Sequence, residues 1–141
     1  MLTPSFEVKL IDLGYGVSLA GHGQDGFNRT RLGTEMYMAP EVIAGKAYQG
    51  ADADIFAFGV MLLVLRLMAY PFSQVKDKAF NQFSRNPAVF WERHAARGVS
   101  EEFKQLAALL LAPEAGSRPT MADVLGHRWM RGEVATREEF S

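Results

Sequence analysis

The chain has 141 residues, of which 48% are hydrophobic, and this size and composition suit one folded domain with a single core. Its 15 Lys and Arg nearly balance 16 Asp and Glu, and the net charge of −1 offers no basic surface for nucleic acid or an anionic membrane. The absence of cysteine excludes disulfides and thiolate metal sites, and the N-terminus shows no secretory signal pattern, so we expect a cytoplasmic or nuclear protein.

The first predicted element is a short β-strand. Residues Phe6 to Ile11 alternate apolar and polar side chains before ending in an apolar pair, a pattern typical of a half-buried strand that leads into Asp12. Six glycines separated by polar residues follow between Gly14 and Gly33. Because glycine favours turns over regular structure, we expect a long loop in this region.

Two helices are predicted next, a short one from Pro40 to Ala44 and a longer one that runs through Met68. Proline is favourable at the first position of a helix, where its missing N–H leaves no hydrogen bond unmade. Asp52 or Asp54 is the expected N-cap of the longer helix. Its apolar run, Ile55 to Leu65, is too short to cross a membrane. Because the run is apolar on nearly every face, we expect the rest of the protein to enclose it.

Amphipathic spacing predicts further helices from Lys78 to Phe83 and from Ala88 to Ala96, with aromatic side chains that face the core. Ser100 is the expected N-cap of a helix that ends before Pro113, since Ser is a favoured cap and leucines recur on one face. Thr120 is the expected cap of the last helix, from Met121 to about Leu125.

Four short motifs occur in one order along the chain, and together they resemble the protein kinase family. They are Asp12-Leu13-Gly14, Gly33-Thr34-Glu35-Met36-Tyr37-Met38-Ala39-Pro40-Glu41, Asp54-Ile55-Phe56-Ala57-Phe58-Gly59 and Arg118-Pro119-Thr120. The resemblance implies a mainly α fold, the C-terminal lobe of a kinase domain with a short N-terminal β segment. Residues 1–130 would form a partial kinase domain and residues 131–141 a polar tail.

The resemblance assigns Asp12 to the aspartate that holds Mg²⁺ against the nucleotide phosphates, with Leu13 where the family usually has Phe. Gly33 and Thr34 resemble the loop that receives the substrate residue next to the phosphorylated one. The form Gly-Thr-x-x-Tyr of this loop implies a serine/threonine kinase, since tyrosine kinases usually show a different segment.

Thr30 lies between Arg29 and Arg31, at the place where many family members are phosphorylated to order the activation segment. The alternative is that Thr30 is an ordinary loop residue.

Glu41 and Arg118 resemble the buried ion pair that ties the end of the activation segment to the later helices. The alternative is that they are two unconnected surface charges. Asp54 resembles the aspartate that accepts backbone hydrogen bonds from the catalytic loop, with Phe56 in place of the more frequent Trp. Alternatively, Asp54 only caps its helix.

Two functional hypotheses follow. Only eleven residues precede Asp12, and the chain contains neither the family's glycine-rich loop with its lysine nor the catalytic His-Arg-Asp. We therefore expect a truncated serine/threonine kinase domain that binds no Mg-ATP and transfers no phosphate by itself, with a protein substrate or the missing kinase lobe as its partner. The alternative is a non-catalytic interaction module.

Phe90-Trp91 and the segment from Ser100 favour the calmodulin-dependent type of kinase.

Overall fold

The fold is given by a computed structural model that describes residues 3, 7–18, 25–73, 75 and 77–132. The predicted mainly α fold is confirmed, because the regular structure of these residues consists of α-helices and short 3-10 turns. The helices are α1 (Pro40–Ile43), α2 (Gly50–Leu67), α3 (Lys78–Arg85), α4 (Pro87–Arg93), α5 (Glu101–Leu110) and α6 (Met121–Gly126). The 3-10 turns span Leu13–Tyr15, Glu35–Tyr37, Ala95–Arg97, Ala115–Ser117 and Arg128–Arg131.

The predicted N-terminal strand is shorter and more exposed than expected. Within residues 7–11 only residue 8 takes part in a β-bridge, and Val8 and Leu10 are 81% and 91% exposed. Phe6, where the predicted strand begins, lies outside the described residues. A half-buried strand needs a neighbouring strand to pair its backbone groups, and the described residues contain isolated bridges instead of a sheet.

Helix α1 forms as predicted, with Pro40 at its first position. The predicted N-cap of α2 is wrong, because the helix begins at Gly50 and its N-cap is Gln49. Gln49 has the extended backbone that is usual for an N-cap, and its side chain makes no capping hydrogen bond. Asp52 instead lies in the first turn, where the positive end of the helix dipole favours an acidic side chain, and Asp54 lies one turn inside.

Helix α2 lies at the centre of the core. One face is fully buried, including Phe56, Val60 and Leu63, each 0% exposed. Other faces of α2 are only partly covered by the described residues, since Met61 and Leu65 are 41% and 62% exposed. The predicted aromatic core forms against α2 through edge-to-face contacts with ring centroids 5.0 to 6.4 Å apart, made by Phe56, Phe72, Phe80, Phe83, Phe90, Trp91 and Phe103.

Helices α2 and α5 approach each other at Gly59. A Cβ atom at this position would lie 2.8 Å from Cβ of Leu110 and 3.0 Å from Cγ of Leu111. Both leucines are buried, at 0% and 1% exposure, so neither can move aside into solvent. The packing of the two helices therefore depends on the absence of a side chain at residue 59.

Helices α3, α5 and α6 begin at hydrogen-bonded caps. The Ser100 hydroxyl accepts from the Phe103 N–H at 3.2 Å, and Thr120 with Asp123 forms a reciprocal capping box, which confirms both predicted caps. Asp77, which the sequence analysis did not single out, caps α3 by accepting from the Ala79 N–H at 2.8 Å. This hydrogen bond, together with those from the backbone N–H and the hydroxyl of Ser73, lowers the pKa of Asp77. Most of the predicted polar tail, residues 133–141, lies outside the described residues.

No helix in the described part of the chain combines the length and the apolar character that a membrane span requires.

Candidate functional site

The structure brings Glu41 and Arg118 together as a bidentate ion pair. The Nη1 and Nη2 atoms of Arg118 each lie 2.7 Å from one of the two Glu41 carboxylate oxygens. The Arg118 side chain is 0% exposed and that of Glu41 is 12% exposed. Such a pair combines charge attraction with the fixed geometry of two parallel hydrogen bonds.

The remaining donors of the Arg118 guanidinium are also used. Nε donates to the Ala112 carbonyl at 2.9 Å, Nη1 to the Asp52 carbonyl at 2.9 Å and Nη2 to the Pro113 carbonyl at 3.3 Å. With the two bonds to Glu41, all five N–H donors of the guanidinium have acceptors. The guanidinium also lies 5.0 Å from the ring centroid of Phe56. Arg118 therefore joins α1, the start of α2 and the loop after α5.

The segment around Thr30 lies on the protein surface. Thr30 is exposed, and the arginines on either side of it form ion pairs with nearby carboxylates, Arg29 with Asp25 and Arg31 with Glu35. Hydrogen bonds from Arg29 and from a backbone N–H lower the pKa of Asp25 to about 2. Two guanidinium groups thus flank the Thr30 backbone, and each already has an anionic partner.

Gly33 and Thr34 line a cavity of about 360 Å³ between this segment and the start of α2. Gly33 has φ of 107°, a backbone conformation that favours glycine, and Thr34 is the N-cap residue of the turn Glu35–Tyr37. The residues that line the cavity lie within the ranges 15–18, 28–34, 37–42 and 48–57, and they include Thr30, Tyr48 and Asp54.

Asn28 and Asp54, which both line this cavity, differ in their exposure to solvent. Asn28 is 5% exposed, and its Oδ1 atom is buried without a hydrogen bond. Asp54 is exposed, so water can hydrate its carboxylate. Partial burial raises the pKa of Asp54.

Asp12 lies just before the 3-10 turn Leu13–Tyr15 and is exposed. Its backbone is left-handed, with φ of 58°, which is uncommon for residues other than glycine and is tolerated best by Asp and Asn. A Cβ atom on Gly14 would lie 3.3 Å from Oδ1 of Asp12, so the small residue leaves room beside the carboxylate.

The described residues do not by themselves form a magnesium site. Mg²⁺ binds with octahedral geometry to one or two carboxylates together with phosphate oxygens and water. Asp12 supplies one carboxylate, and the described part of the chain contains no group of three acidic, histidine or cysteine side chains that could hold a metal.

Asn28 and Tyr48, which link the Thr30 segment to the helical body, were not predicted from the sequence. They form an antiparallel bridge with N···O distances of 2.8 and 2.9 Å, and the Tyr48 hydroxyl donates to the Thr30 carbonyl at 2.9 Å. A single bridge carries no period in the sequence. The one available signal was a tyrosine in an otherwise small and polar stretch between two helices.

Comparison with known proteins gives a consistent result. Residues 1–130 match the family described as Protein kinase domain. Serine/threonine-protein kinase SRK2F of Arabidopsis thaliana is 32% identical over 140 residues, which cover 97% of this chain and 39% of the relative. CBL-interacting protein kinase 28 of Oryza sativa subsp. japonica is 32% identical over 135 residues, which cover 96% of this chain and 30% of the relative. The chain thus spans less than two fifths of the length of these relatives.

The family match extends over all four motifs, from Asp12-Leu13-Gly14 to Arg118-Pro119-Thr120. The narrower likeness to calmodulin-dependent kinases stays a prediction. Since the match covers nearly the whole chain, the chain belongs to the protein kinase family.

Proposed function

We propose that this chain is part of a serine/threonine protein kinase domain, whose reaction transfers the γ-phosphate of ATP to a protein hydroxyl, and that the chain alone is inactive. The observation that carries the first half is the Glu41 and Arg118 pair, because it fixes the segment with Gly33 and Thr34 beside a cavity. In this proposal Gly33 and Thr34 contact the substrate, Thr30 is the site of activating phosphorylation, and Asp12 is one ligand of the magnesium ion that accompanies ATP.

The second half rests on how phosphoryl transfer is catalysed. Positioning of the reactants supplies roughly 7 to 11 kcal/mol of barrier lowering, and it requires groups that hold both the nucleotide and the accepting hydroxyl. The sequence contains no His-Arg-Asp, and Asp12 is exposed, with no cluster of three acidic, histidine or cysteine side chains around it among the described residues. When bound, Mg²⁺ and ATP supply the phosphoryl group and neutralise its charge. Asp12 can only help to orient them.

The proposed partners are a protein substrate and a polypeptide that supplies the missing kinase segments. The exposed apolar residues Met61 and Leu65 are consistent with a second polypeptide that packs on this surface. The proposed location is the cytoplasm or nucleus. No feature of the described residues favours the non-catalytic interaction module over this proposal.

A radiolabelled ATP assay on a basic peptide tests the proposal in two arms. In the first arm, we expect the purified chain to show no Mg-ATP affinity and no turnover above an Asp12→Asn variant. In the second arm, residues 1–130 replace the matching segment of the Arabidopsis relative SRK2F, and we expect this chimera to phosphorylate the peptide on serine or threonine. The Asp12→Asn substitution should remove that turnover, because the metal then loses a ligand.

Each arm can contradict one half of the proposal. Turnover by the chain alone that Asp12→Asn abolishes would show that it needs no further segment. A chimera that is folded but inactive, with the parent kinase active beside it, would refute the kinase role of these residues.

A further inference from the structure

Tyr48 makes every hydrogen bond that joins residues 25–34 to the chain beyond residue 40, within the described parts of both. Its backbone N–H and C=O pair with those of Asn28 at 2.9 and 2.8 Å. Its hydroxyl donates to the Thr30 carbonyl at 2.9 Å. The segment that carries Thr30 is therefore hydrogen-bonded to the helical body through a single residue.

The ring of Tyr48 is itself held in place, because it packs against the hydrophobic core. Next to it the Asn28 side chain is buried against the first residue of α2, where a Cβ on Gly50 would lie 3.3 Å from Nδ2 of Asn28. The contact is thus close-packed on both sides. A hydrogen-bond donor on a fixed ring can hold a neighbouring chain at a defined distance.

We propose that Tyr48 is a positioning residue for the segment 28–34 and, through this segment, for substrate binding. The backbone bridge fixes residue 28, and the hydroxyl fixes residue 30, so that both the position and the direction of the chain are set before it reaches Gly33 and Thr34. Tyr48, Thr30, Gly33 and Thr34 line the same cavity, so the Tyr48 contacts also set the distance between its two walls.

The role of this segment in substrate binding rests on the proposed function. Its attachment by Tyr48 does not depend on that function. The Thr30 carbonyl is held while the residue remains exposed. Modification of the threonine hydroxyl would therefore leave the Tyr48 hydrogen bond intact. Tyr48 touches neither reactant in this proposal, and it acts through the segment that it holds.

Limited proteolysis with trypsin tests the attachment, because Arg29 and Arg31 lie within the segment and their side chains are 59% and 47% exposed. The Tyr48→Phe variant keeps the ring and the backbone bridge and loses only the hydroxyl. We expect cleavage after these two arginines to become roughly 2- to 10-fold faster. This is the change that loss of one net hydrogen bond causes when trypsin cuts only the locally opened segment. Cleavage after Lys104 in α5 and the thermal midpoint should stay unchanged.

Tyr15→Phe is the matched control, since Tyr15 lines the same cavity and its hydroxyl has no hydrogen bond to a described residue. Unchanged cleavage at Arg29 and Arg31 in Tyr48→Phe would overturn the inference, and so would an equal increase at Lys104, which indicates general destabilisation. In an active chimera, Tyr48→Phe should raise KM for the peptide and leave KM for ATP unchanged, whereas a change confined to kcat would contradict positioning. The proteolysis result stands independently of whether the chimera is active.

Discussion

The Arg118→Ala variant is expected to lose roughly 3 to 5 kcal/mol of unfolding free energy, the cost typical of leaving one partner of a buried ion pair without the other. The Glu41 carboxylate, 12% exposed, would lose both of its guanidinium hydrogen bonds. The carbonyls of Asp52, Ala112 and Pro113 would lose a donor as well. Urea unfolding followed by circular dichroism measures the loss.

Arg85→Ala is the matched control for this change. Arg85 lies exposed at the end of α3, and no hydrogen bond joins its side chain to a described residue. We expect this variant to unfold within about 0.5 kcal/mol of the parent chain, as surface substitutions usually do. If Arg118→Ala unfolded as close to the parent as Arg85→Ala, the pair would have no structural importance.

The Gly59→Val variant is expected to be destabilised by about 1 to 3 kcal/mol, although a helix interior normally gains stability when glycine is replaced. Valine would place its Cβ 2.8 Å from Cβ of Leu110, and both helices would have to separate to relieve the contact. The overpacking outweighs the gain in helix propensity, because the neighbouring leucines are fully buried. Thermal unfolding measures the net effect.

Gly116→Val provides the comparison, since no atom lies within 4 Å of the position that its Cβ would occupy. We expect it to melt close to the parent chain. A Gly59→Val protein that is as stable as this control would mean that α2 and α5 are not closely packed at residue 59.

Local signals in the sequence were sufficient for much of the fold. Ser100 and Thr120 were recognised as caps because a cap and the helix it starts are neighbours in sequence. The start of α2 was misplaced because two aspartates offered the usual cap chemistry, whereas Gln49 enters the helix without a side-chain cap. Its position is set by packing of the helix in the core, which no local pattern records.

Residues of the candidate site could be predicted from the sequence where they belong to one of the family motifs. Glu41 and Arg118 lie 77 residues apart, and only the resemblance to kinases suggested that they meet. Tyr48 belongs to none of the four motifs, and its contacts depend on how two loops come together. Long-range pairing of this kind follows from the whole fold and has no signature in spacing or composition.

The distance of 77 residues between Glu41 and Arg118 also bears on the order of events in folding. Closing a loop of that length costs about 4 kcal/mol of chain entropy by the logarithmic estimate, so the pair gains little until the helices have already assembled. Its contribution should then appear in the unfolding rate and hardly in the folding rate. Stopped-flow measurements on Arg118→Ala should show faster unfolding with nearly unchanged refolding, and a refolding rate slowed in proportion to the lost stability would place the pair in the folding nucleus instead.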